Sequence, residues 1–343
     1  MLPLPSGSNR HERSFAFDLA EFSQVGEVRR FAATLCAELE FDEVRQGKVA
    51  IVINELGNNL VKYARSGQII LRAVSRGGDR GLEILSVDKG PGIPNISLSM
   101  EDGFTTGSTP GTGLGAVRRQ SDVFDIFSEP GRGTLVVAIL MRNPGERMPD
   151  DEWFEVGAVC LPIHGESVCG DGWSVRREGR ELHVLVADGL GHGPLAHKAA
   201  TEAIEVFFES KLPQDQLMKQ IHGRLKSTRG AAVFLASSAT GSDVRFCGVG
   251  NIRSILFSPS STKTLISQNG TAGLQIRTVT PMSLPWGAEA HLVLHSDGLT
   301  SRWDNASYPG IHRKHPSLLA AALYRDYVRG TDDATVVVIG KRV

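Results

Sequence analysis

The chain has 343 residues, enough for about two domains, and its hydrophobic (41%) and charged (22%) fractions are ordinary for a globular protein. A formal net charge of −1 provides no overall basic field, which argues against nucleic acid or a membrane as a partner. The sequence has no signal-type apolar core at its start, no apolar run of membrane-spanning length and no CxxC spacing among its four cysteines. We therefore expect a cytoplasmic protein without a zinc site or a disulfide framework.

The first part of the chain alternates between helical and strand patterns. Apolar residues at helical spacing predict helices over residues 25–39, 41–64 and 114–120. Strands are predicted at residues 14–19, 68–74, 82–87, 123–128 and 133–141. After the short first strand, the predicted order is helix, helix, strand, strand, polar segment, helix, strand, strand.

Two glycine groups flank the polar segment. Asp88 ends a predicted strand and is followed by Gly90 and Gly92, which can adopt positive φ and let the backbone approach a ligand closely. The second group opens a helix, where free amide N–H groups suit phosphate, and comprises Gly111, Gly113, Leu114 and Gly115. The intervening residues 101–110 are too polar and too rich in turn formers to be buried, which is typical of a mobile lid. A carboxylate for a base edge, a lid and a glycine cradle together indicate a nucleotide pocket.

A polar pair lies on the second predicted helix. Glu55 and Asn59 are four residues apart, so their side chains share one face of the helix, beside apolar positions. Taken alone, the pair is more often an exposed polar stripe, because such stripes are common on helices. The glycine stretch that follows favours the alternative interpretation, in which both side chains face the nucleotide pocket.

Four motifs, in order, resemble those of the GHKL ATPases. They are Asn54-Glu-Leu-Gly-Asn-Asn59, Asp88-x-Gly-Pro-Gly-Ile93, Gly111-Thr-Gly-Leu-Gly115 and Gly131-Arg-Gly-Thr134. The Glu-Leu-x-x-Asn form and the short lid are most similar to the anti-sigma-factor serine kinases, including the stressosome switch kinases. The resemblance covers residues 14–142 and implies a Bergerat-type α/β sandwich that holds ATP between its helices and lid.

The same resemblance implies a role for several residues. Asn59 would bind Mg²⁺, Asp88 would receive the adenine amino group, and Thr134 would support that contact. Glu55 would be the general base that accepts the proton of a substrate serine or threonine hydroxyl. Phosphoryl transfer requires this kind of positioning and charge neutralisation. Histidine autophosphorylation fits less well, because no histidine-bearing pair of dimerisation helices precedes the pocket.

A domain boundary is expected near residues 142–151, which contain two prolines and break the periodic pattern. We therefore expect a first domain of residues 14–142, a linker of residues 143–151 and a second domain of residues 152–343. The second domain is strand-rich, with strands predicted at residues 154–163, 173–177, 182–187, 231–237, 244–248, 254–257, 291–295 and 335–339. Helices are predicted at residues 194–212, 214–225 and 316–327, whereas residues 258–285 show no usable pattern.

Aspartates recur beside the predicted strands of the second domain. The set comprises Asp171, Asp188, Asp297 and the adjacent Asp332 and Asp333. Any one of them is most often a turn former or a cap. Several together, three with glycine adjacent, fit a site in which carboxylates and a backbone carbonyl surround Mg²⁺ or Mn²⁺. Two such ions could hold a phosphate and activate a bridging water. His192 is more often structural than catalytic in this glycine-rich setting.

These residues also resemble a known family. Gly170-Asp171-Gly-Trp, Asp188-x-x-Gly-His-Gly193, Ser296-Asp-Gly-Leu-Thr300 and Asp332-Asp-Ala-Thr335 are similar to motifs of the SpoIIE-type metal-dependent serine/threonine phosphatases, in the short form without a sensor domain. The resemblance spans residues 152–343 and implies a β-sandwich flanked by helices, with a two-metal centre at one edge.

The phosphatase resemblance also implies ligand roles. Asp188 would bridge both metals and the Gly189 carbonyl would join one of them. Asp297 and Asp332 would complete the centre and Asp171 would support it, although sequence leaves open whether Asp332 or Asp333 faces the metal. Cys-Gly-Asp in place of the usual Gly-Gly-Asp, and Gly172-Trp173 in place of an aromatic-acid pair, are departures that affect substrate fit more than metal binding.

The expected fold class is therefore α+β, and the expected function is a bifunctional switch. The first domain would use ATP and Mg²⁺ to phosphorylate serine or threonine on a partner protein. The second would remove such phosphates with two Mn²⁺ or Mg²⁺ ions. By resemblance, the partner is a STAS-domain anti-sigma antagonist or stressosome scaffold protein, and the output is control of a sigma factor or another downstream regulator.

Two alternatives stay open. In the first, the N-terminal domain is a nucleotide-dependent clamp that sequesters a regulator, and only the phosphatase turns over. The second is a GHKL ATPase that uses hydrolysis for motion. The small domain and the absence of a transducer region argue against this second alternative.

Overall fold

The computed structural model describes residues 13–100, 113–144, 153–239, 241–258, 261–303 and 307–342. Residues 14–144 and 153–342 of this part of the chain belong to two separate compact units. Among the residues described, no helix is both long and apolar enough to span a membrane.

The first unit is built on a five-stranded antiparallel sheet. Its strands are β1 (Ser14–Leu19), β2 (Gly67–Arg76), β3 (Asp79–Asp88), β4 (Val123–Glu129) and β5 (Gly133–Met141), arranged in the order β1-β2-β3-β5-β4. Its helices are α1 (Phe22–Glu38), α2 (Glu43–Asn59), the single turn α3 (Ile96–Ser99) and α4 (Gly113–Gln120). Alternate strand residues such as Leu71 and Ile84 pack against α1, α2 and α4 in one core.

The second helix differs from its prediction at both ends. The side chain of Asp42 accepts a hydrogen bond from the Arg45 amide at 2.7 Å, so this residue caps the helix and α2 begins at Glu43. The α-helical pattern ends at Asn59, and the chain continues as a π-helix over Leu60–Ala64. Arg65 then adopts a left-handed conformation with φ of 67°, which ends the helical segment. The predicted helix over residues 41–64 is thus two segments of different geometry.

The second unit contains two five-stranded sheets. Its strands are β6 (Phe154–Leu161), β7 (Asp171–Glu178), β8 (Glu181–Gly189), β9 (Ala231–Ala239), β10 (Val244–Val249), β11 (Arg253–Ser258), β12 (Ser261–Thr264), β13 (Met282–Leu284), β14 (His291–His295) and β15 (Ala334–Lys341). One sheet has the order β13-β10-β9-β8-β7 and the other β12-β11-β14-β15-β6. Trp173 and Phe234 of the first sheet pack with Leu292 and Val337 of the second in a shared core.

Helices cover the outer faces of this sandwich. Helices α5 (Pro194–Glu209) and α6 (Gln214–Leu225) form a second core with the outer residues of β8 and β9. Helix α7 (Pro316–Tyr327) packs on β6 and β15 of the other sheet. The predicted fold class, an α/β sandwich followed by a β-sandwich flanked by helices, is confirmed.

Candidate functional sites

A cavity of about 680 Å³ opens between the helices and the sheet of the first unit. This volume falls within the range of ordinary ligand pockets, about 300–1,000 Å³. Its lining includes six residues that the sequence associates with nucleotide binding: Asn59, Asp88, Gly92, Gly113, Leu114 and Thr134. Residues from both ends of the motif region therefore line one cavity, although 101–112, with the predicted lid and Gly111, lie outside the described residues.

Asp88 is held in place by backbone amides. It ends β3 and is 9% exposed, and its Oδ1 accepts hydrogen bonds from the amides of Gly90 (2.7 Å) and Thr134 (3.1 Å). The Thr134 hydroxyl lies 2.9 Å from the hydroxyl of Ser128, which in turn accepts the amide of Ile93 at 2.8 Å. These contacts fix the Asp88 carboxylate at the C-terminal end of β3.

Close backbone packing explains the glycines next to Asp88. Gly92 has φ of 70°, and a Cβ there would overlap the carbonyl of Glu129. A Cβ on Gly90 would lie 2.8 Å from Cα of Ala64, at the end of the π-helix. The turn after β3 can therefore approach both segments only with glycine at these positions. Gly113 and Gly115 lie in the first turn of α4, so the second glycine group does open a helix.

Asn59 and Glu55 lie on the last turns of α2. Asn59 is the final α-helical residue before the π-helix, and it lines the cavity together with Lys62 and Arg65. Glu55, one turn earlier, is half-buried and is not part of the cavity lining. The two side chains therefore differ in position: Asn59 lies at the cavity wall, and Glu55 lies one turn nearer the N-terminus of α2.

In the second unit, Asp171 and Asp188 are directly opposite each other on the antiparallel strands β7 and β8. Burial raises the pKa of Asp188 to about 9, and the Asp171 and Asp297 carboxylates add to the shift. Burial also raises the pKa of Asp171 to about 7. Gly189 follows on β8, where a Cβ would overlap the carbonyl of Ala196 in α5. Acidic groups from separate strands thus share one region.

The remaining aspartates have distinct environments. The Oδ2 atom of Asp297 accepts a hydrogen bond from the Asn251 side chain at 2.7 Å, and burial raises the pKa of Asp297. Asp333 is 2% exposed, and its two carboxylate oxygens accept the amides of Ile163 and Gly170, each at 2.8 Å. Asp332 is only half-buried and accepts the Asp333 amide at 2.9 Å. The adjacent aspartates are therefore not equivalent.

The donor set can be tested against a divalent cation. Across the described residues, no three His, Cys, Asp or Glu side chains are grouped closely enough to hold a metal ion by themselves. However, Oδ2 of Asp171 is buried and accepts no hydrogen bond from any described residue. Mg²⁺ characteristically keeps several waters and uses one or two carboxylates plus phosphate oxygens. Carboxyl groups whose pKa values are raised by partial or full burial, in an all-oxygen donor set, fit such an ion.

Two neighbouring contacts were not anticipated from the sequence. The Nδ1 atom of His192 lies 2.8 Å from Oε1 of Glu166. The Sγ atoms of Cys160 and Cys169 lie 3.7 Å apart, with Cys169 two residues before Asp171. Both pairs join residues at least nine positions apart, so sequence pattern does not predict them. The only sequence features that drew attention to these residues were the glycines around His192 and the cysteine at position 169 in place of the usual glycine.

Together, the two units have the folds of an ATP-binding domain and of a metal-dependent phosphatase. Residues 19–140 match the family described as histidine kinase-like ATPase domain, and residues 178–342 match the family Stage II sporulation protein E (SpoIIE). The chain is 41% identical over 112 residues to the serine/threonine-protein kinase RsbT of Bacillus subtilis (strain 168), covering 33% of this chain and 84% of RsbT. It therefore belongs to the histidine kinase-like ATPase family.

The second unit has its own relatives. The phosphoserine phosphatase RsbX of Bacillus subtilis (strain 168) is 32% identical over 117 residues, which cover 33% of this chain and only 58% of RsbX. A solved structure of RsbX in complex with magnesium covers 57% of this chain and 98% of that chain, with 22% identity and a TM-score of 0.50. A structure from work on the bacterial stressosome, a modular system adapted to control secondary messenger signalling, covers 55% of this chain and 100% of that chain, with 26% identity and a TM-score of 0.51. The first unit is thus related to a serine/threonine-protein kinase, and the second matches the SpoIIE family model and has the fold of the RsbX phosphatase.

Proposed function

We propose that this chain is a bifunctional switch that adds phosphate to, and removes it from, serine or threonine of a STAS-domain regulator. Residues 14–142 act as the kinase, residues 143–151 as the linker and residues 152–343 as the phosphatase. The observation that carries the kinase assignment is that Asn59, Asp88 and Thr134 line the same cavity. The relatives RsbT and RsbX, one a kinase and the other a phosphatase, support a pairing of opposed activities.

In the kinase domain, the fixed carboxylate of Asp88 accepts the adenine amino group, and Thr134 supports this contact. Asn59 holds Mg²⁺, and the glycine cradle, which includes Gly90, Gly92, Gly111, Gly113, Leu114 and Gly115, surrounds the nucleotide. Glu55 accepts the proton of the substrate hydroxyl. Glu55 lies one turn before Asn59 and outside the cavity lining, and we assign to it the contact with the hydroxyl of the protein substrate.

In the phosphatase domain, Asp188, the Gly189 carbonyl, Asp297 and Asp332 hold two Mg²⁺ or Mn²⁺ ions, with Asp171 as support. Divalent cations, when bound there, would neutralise phosphate charge and lower the pKa of a water that attacks phosphorus. We assign the ligand role to Asp332 rather than Asp333, because both oxygens of Asp333 already accept backbone amides. Asp333 instead ties the segments around Ile163 and Gly170 to the start of β15.

The partner assignment rests on the similarity to anti-sigma-factor kinases and on the stressosome-derived structure. A STAS-domain anti-sigma antagonist or a stressosome scaffold is therefore the proposed substrate, with a sigma factor or another downstream regulator as the output. The competing function is a nucleotide-dependent clamp joined to an active phosphatase. The half-buried position of Glu55, outside the cavity, is the observation compatible with such a clamp.

One experiment separates the two functions. A STAS protein is incubated with the full chain, γ-labelled ATP and Mg²⁺, and then with Mn²⁺ after ATP is removed. The proposed function predicts incorporation of label that is lost in Glu55→Ala, followed by release of label in the second step that is lost in Asp188→Ala. Nucleotide-dependent binding of the STAS protein without incorporation would instead establish the clamp.

A further inference from the structure

Arg229 lies in a tightly held turn between α6 and β9. The Thr228 hydroxyl donates to the Leu225 carbonyl at 2.8 Å and accepts the Gly230 amide at 3.0 Å. Gly230 has φ of 85°, a left-handed conformation that glycine adopts without strain. The next residue, Ala231, pairs with Ala272 through two backbone hydrogen bonds. The backbone on both sides of Arg229 is therefore fixed.

This turn is joined to the loop that follows Asp188. The amide of Leu190 donates to the Gly230 carbonyl at 3.0 Å. The Nη1 atom of Arg229 lies only 3.2 Å from the position that a Cβ on Gly191 would occupy. The guanidinium group thus lies against the backbone of Gly191, which is three residues after Asp188 and has φ of 81°. The absence of a side chain at Gly191 allows this approach.

Arg229 differs from Arg224 and Arg325 of this unit in having no acidic partner among the described residues. Arg224 pairs with Glu202 at 3.0 Å, and Arg325 pairs with Asp326 at 2.8 Å. Arg229 is exposed, and no carboxylate among the described residues forms an ion pair with it. Its charge and its five N–H donors are therefore available to an anion from solution.

We propose that Arg229 binds the phosphoryl oxygens of the phosphoserine or phosphothreonine substrate. This inference rests on the proposed phosphatase function and identifies one residue that recognises the substrate. A guanidinium group suits this role, because its planar donors match phosphate oxygens in a bidentate geometry. A positive charge beside the loop also offsets the repulsion that the neighbouring carboxylates exert on an approaching phosphate dianion.

The test compares Arg229→Ala and Arg229→Lys with Lys226→Ala in the full chain. Lys226 is the matched control, because it is an exposed cation three residues earlier in the same segment, and its loss changes the net charge equally. The measured quantities are kcat and KM for a synthetic phosphoserine peptide with Mn²⁺, and the inhibition constant of inorganic phosphate. Tryptophan fluorescence checks folding, because all four tryptophans, Trp153, Trp173, Trp286 and Trp303, belong to the second unit.

We expect Arg229→Ala to raise the peptide KM and the inhibition constant of inorganic phosphate by about tenfold or more, as loss of a charge-assisted hydrogen bond implies. Arg229→Lys should restore part of this loss, and Lys226→Ala should stay within about twofold of wild type. The Mn²⁺ concentration for half-maximal activity should not change.

An unchanged inhibition constant in a folded Arg229→Ala variant would overturn the assignment, and so would a loss confined to kcat. If Arg229→Ala did not fold, Arg229→Gln would provide the same comparison with a side chain of similar length. A wild-type chain that released no phosphate from any phosphopeptide would instead overturn the proposed phosphatase function itself.

Discussion

Asp171 and Asp188 face each other across the antiparallel pair β7–β8, which brings the buried Asp171 carboxyl group and the half-buried Asp188 carboxyl group to one register position. Directly opposed like charges destabilise a sheet, and burial adds to the cost of ionising either group. The arrangement makes physical sense if the two carboxyl groups bind a cation. In that case, the protein without a bound cation should have a lower free energy of unfolding than a variant that lacks one of the carboxyl groups.

The first prediction is that Asp188→Asn stabilises the chelator-treated protein while removing its response to divalent cations. The pKa of Asp188 is raised to about 9 by burial and then by Asp171. Because the pKa of Asp188 is raised on folding, the contribution of this group to the free energy of unfolding is fully present below the unfolded pKa of 3.8. That contribution is lost as pH rises towards 9. At pH 7 we expect Asn to add about 1 kcal/mol or more, a shift in Tm of about 2–4 °C.

The measurement is tryptophan fluorescence during thermal unfolding, with and without Mn²⁺. Wild type should gain stability with Mn²⁺, by about 2.7 kcal/mol at one hundred times Kd, whereas Asp188→Asn should gain little. Asp243→Asn serves as the control, because it removes an exposed carboxylate outside the acidic region. A destabilised Asp188→Asn protein that still responds fully to Mn²⁺ would contradict the metal assignment.

Much of the fold could be predicted because its hydrophobic periodicity is strong. Helices α6 and α7 and strand β14 have the predicted bounds. The buried residues of α6 recur at helical spacing, whereas β14 is a short apolar run that is buried along its whole length. Strands β12 and β13 could not be predicted, because they are three or four residues long and have no buried residue to set an alternation. The single turn α3 was missed for the same reason, since it has no buried residue.

The candidate site was predictable in its residue types and less so in its contacts. The glycine and aspartate motifs are local in sequence, so their positions beside strands could be read directly. The difference between Asp332 and Asp333 could not, because it depends on amides of Ile163 and Gly170, which are at least 163 residues away. The π-helix after Asn59 likewise has no signal in the periodicity of Leu60–Ala64.

The second prediction concerns acid pH and two buried histidines on β14. Burial lowers the pKa of both His291 and His295 from 6.5 to about 4, and His312 adds to the shift of His291. Both side chains are therefore neutral in the folded state at neutral pH. Their contribution to the free energy of unfolding is fully present above pH 6.5 and is lost as pH falls towards 4. The loss should be on the order of 2–3 kcal/mol for each histidine.

Urea unfolding followed by tryptophan fluorescence between pH 7.5 and 4.5 tests this prediction. His291→Gln should lose less stability than wild type as pH falls from 6.5 to 4.5, whatever its effect on stability at neutral pH, because one group that must be charged on unfolding has been removed. His164→Gln removes an exposed histidine and should leave the pH dependence unchanged. An identical slope in wild type and His291→Gln would show that the acid response has another origin.

The third prediction compares two glycines of the second unit, one on a strand and one on a helix, that differ in the space available to a side chain. A Cβ on Gly157 of β6 would overlap the amide nitrogen of Ser317, where α7 packs directly on the strand. Gly157→Ala must therefore displace the helix, and overpacking of this kind costs about 1–3 kcal/mol. Gly223 lies inside α6, and a Cβ there meets no atom within 4 Å. Gly223→Ala should therefore stabilise the unit by about 0.5–1 kcal/mol through helix propensity.

Both glycine variants can be followed by tryptophan fluorescence in urea, and their phosphatase activity can be normalised to the folded fraction. Neither glycine contacts the aspartates of the candidate site, so activity per folded molecule should equal that of wild type. Equal stability of Gly157→Ala and Gly223→Ala would mean that α7 can move away from β6 at little cost. Helix α7 packs on both β6 and β15. A loss of activity in a fully folded Gly157→Ala protein would therefore mean that the position of α7 on β6 also affects the position of Asp332, just before β15.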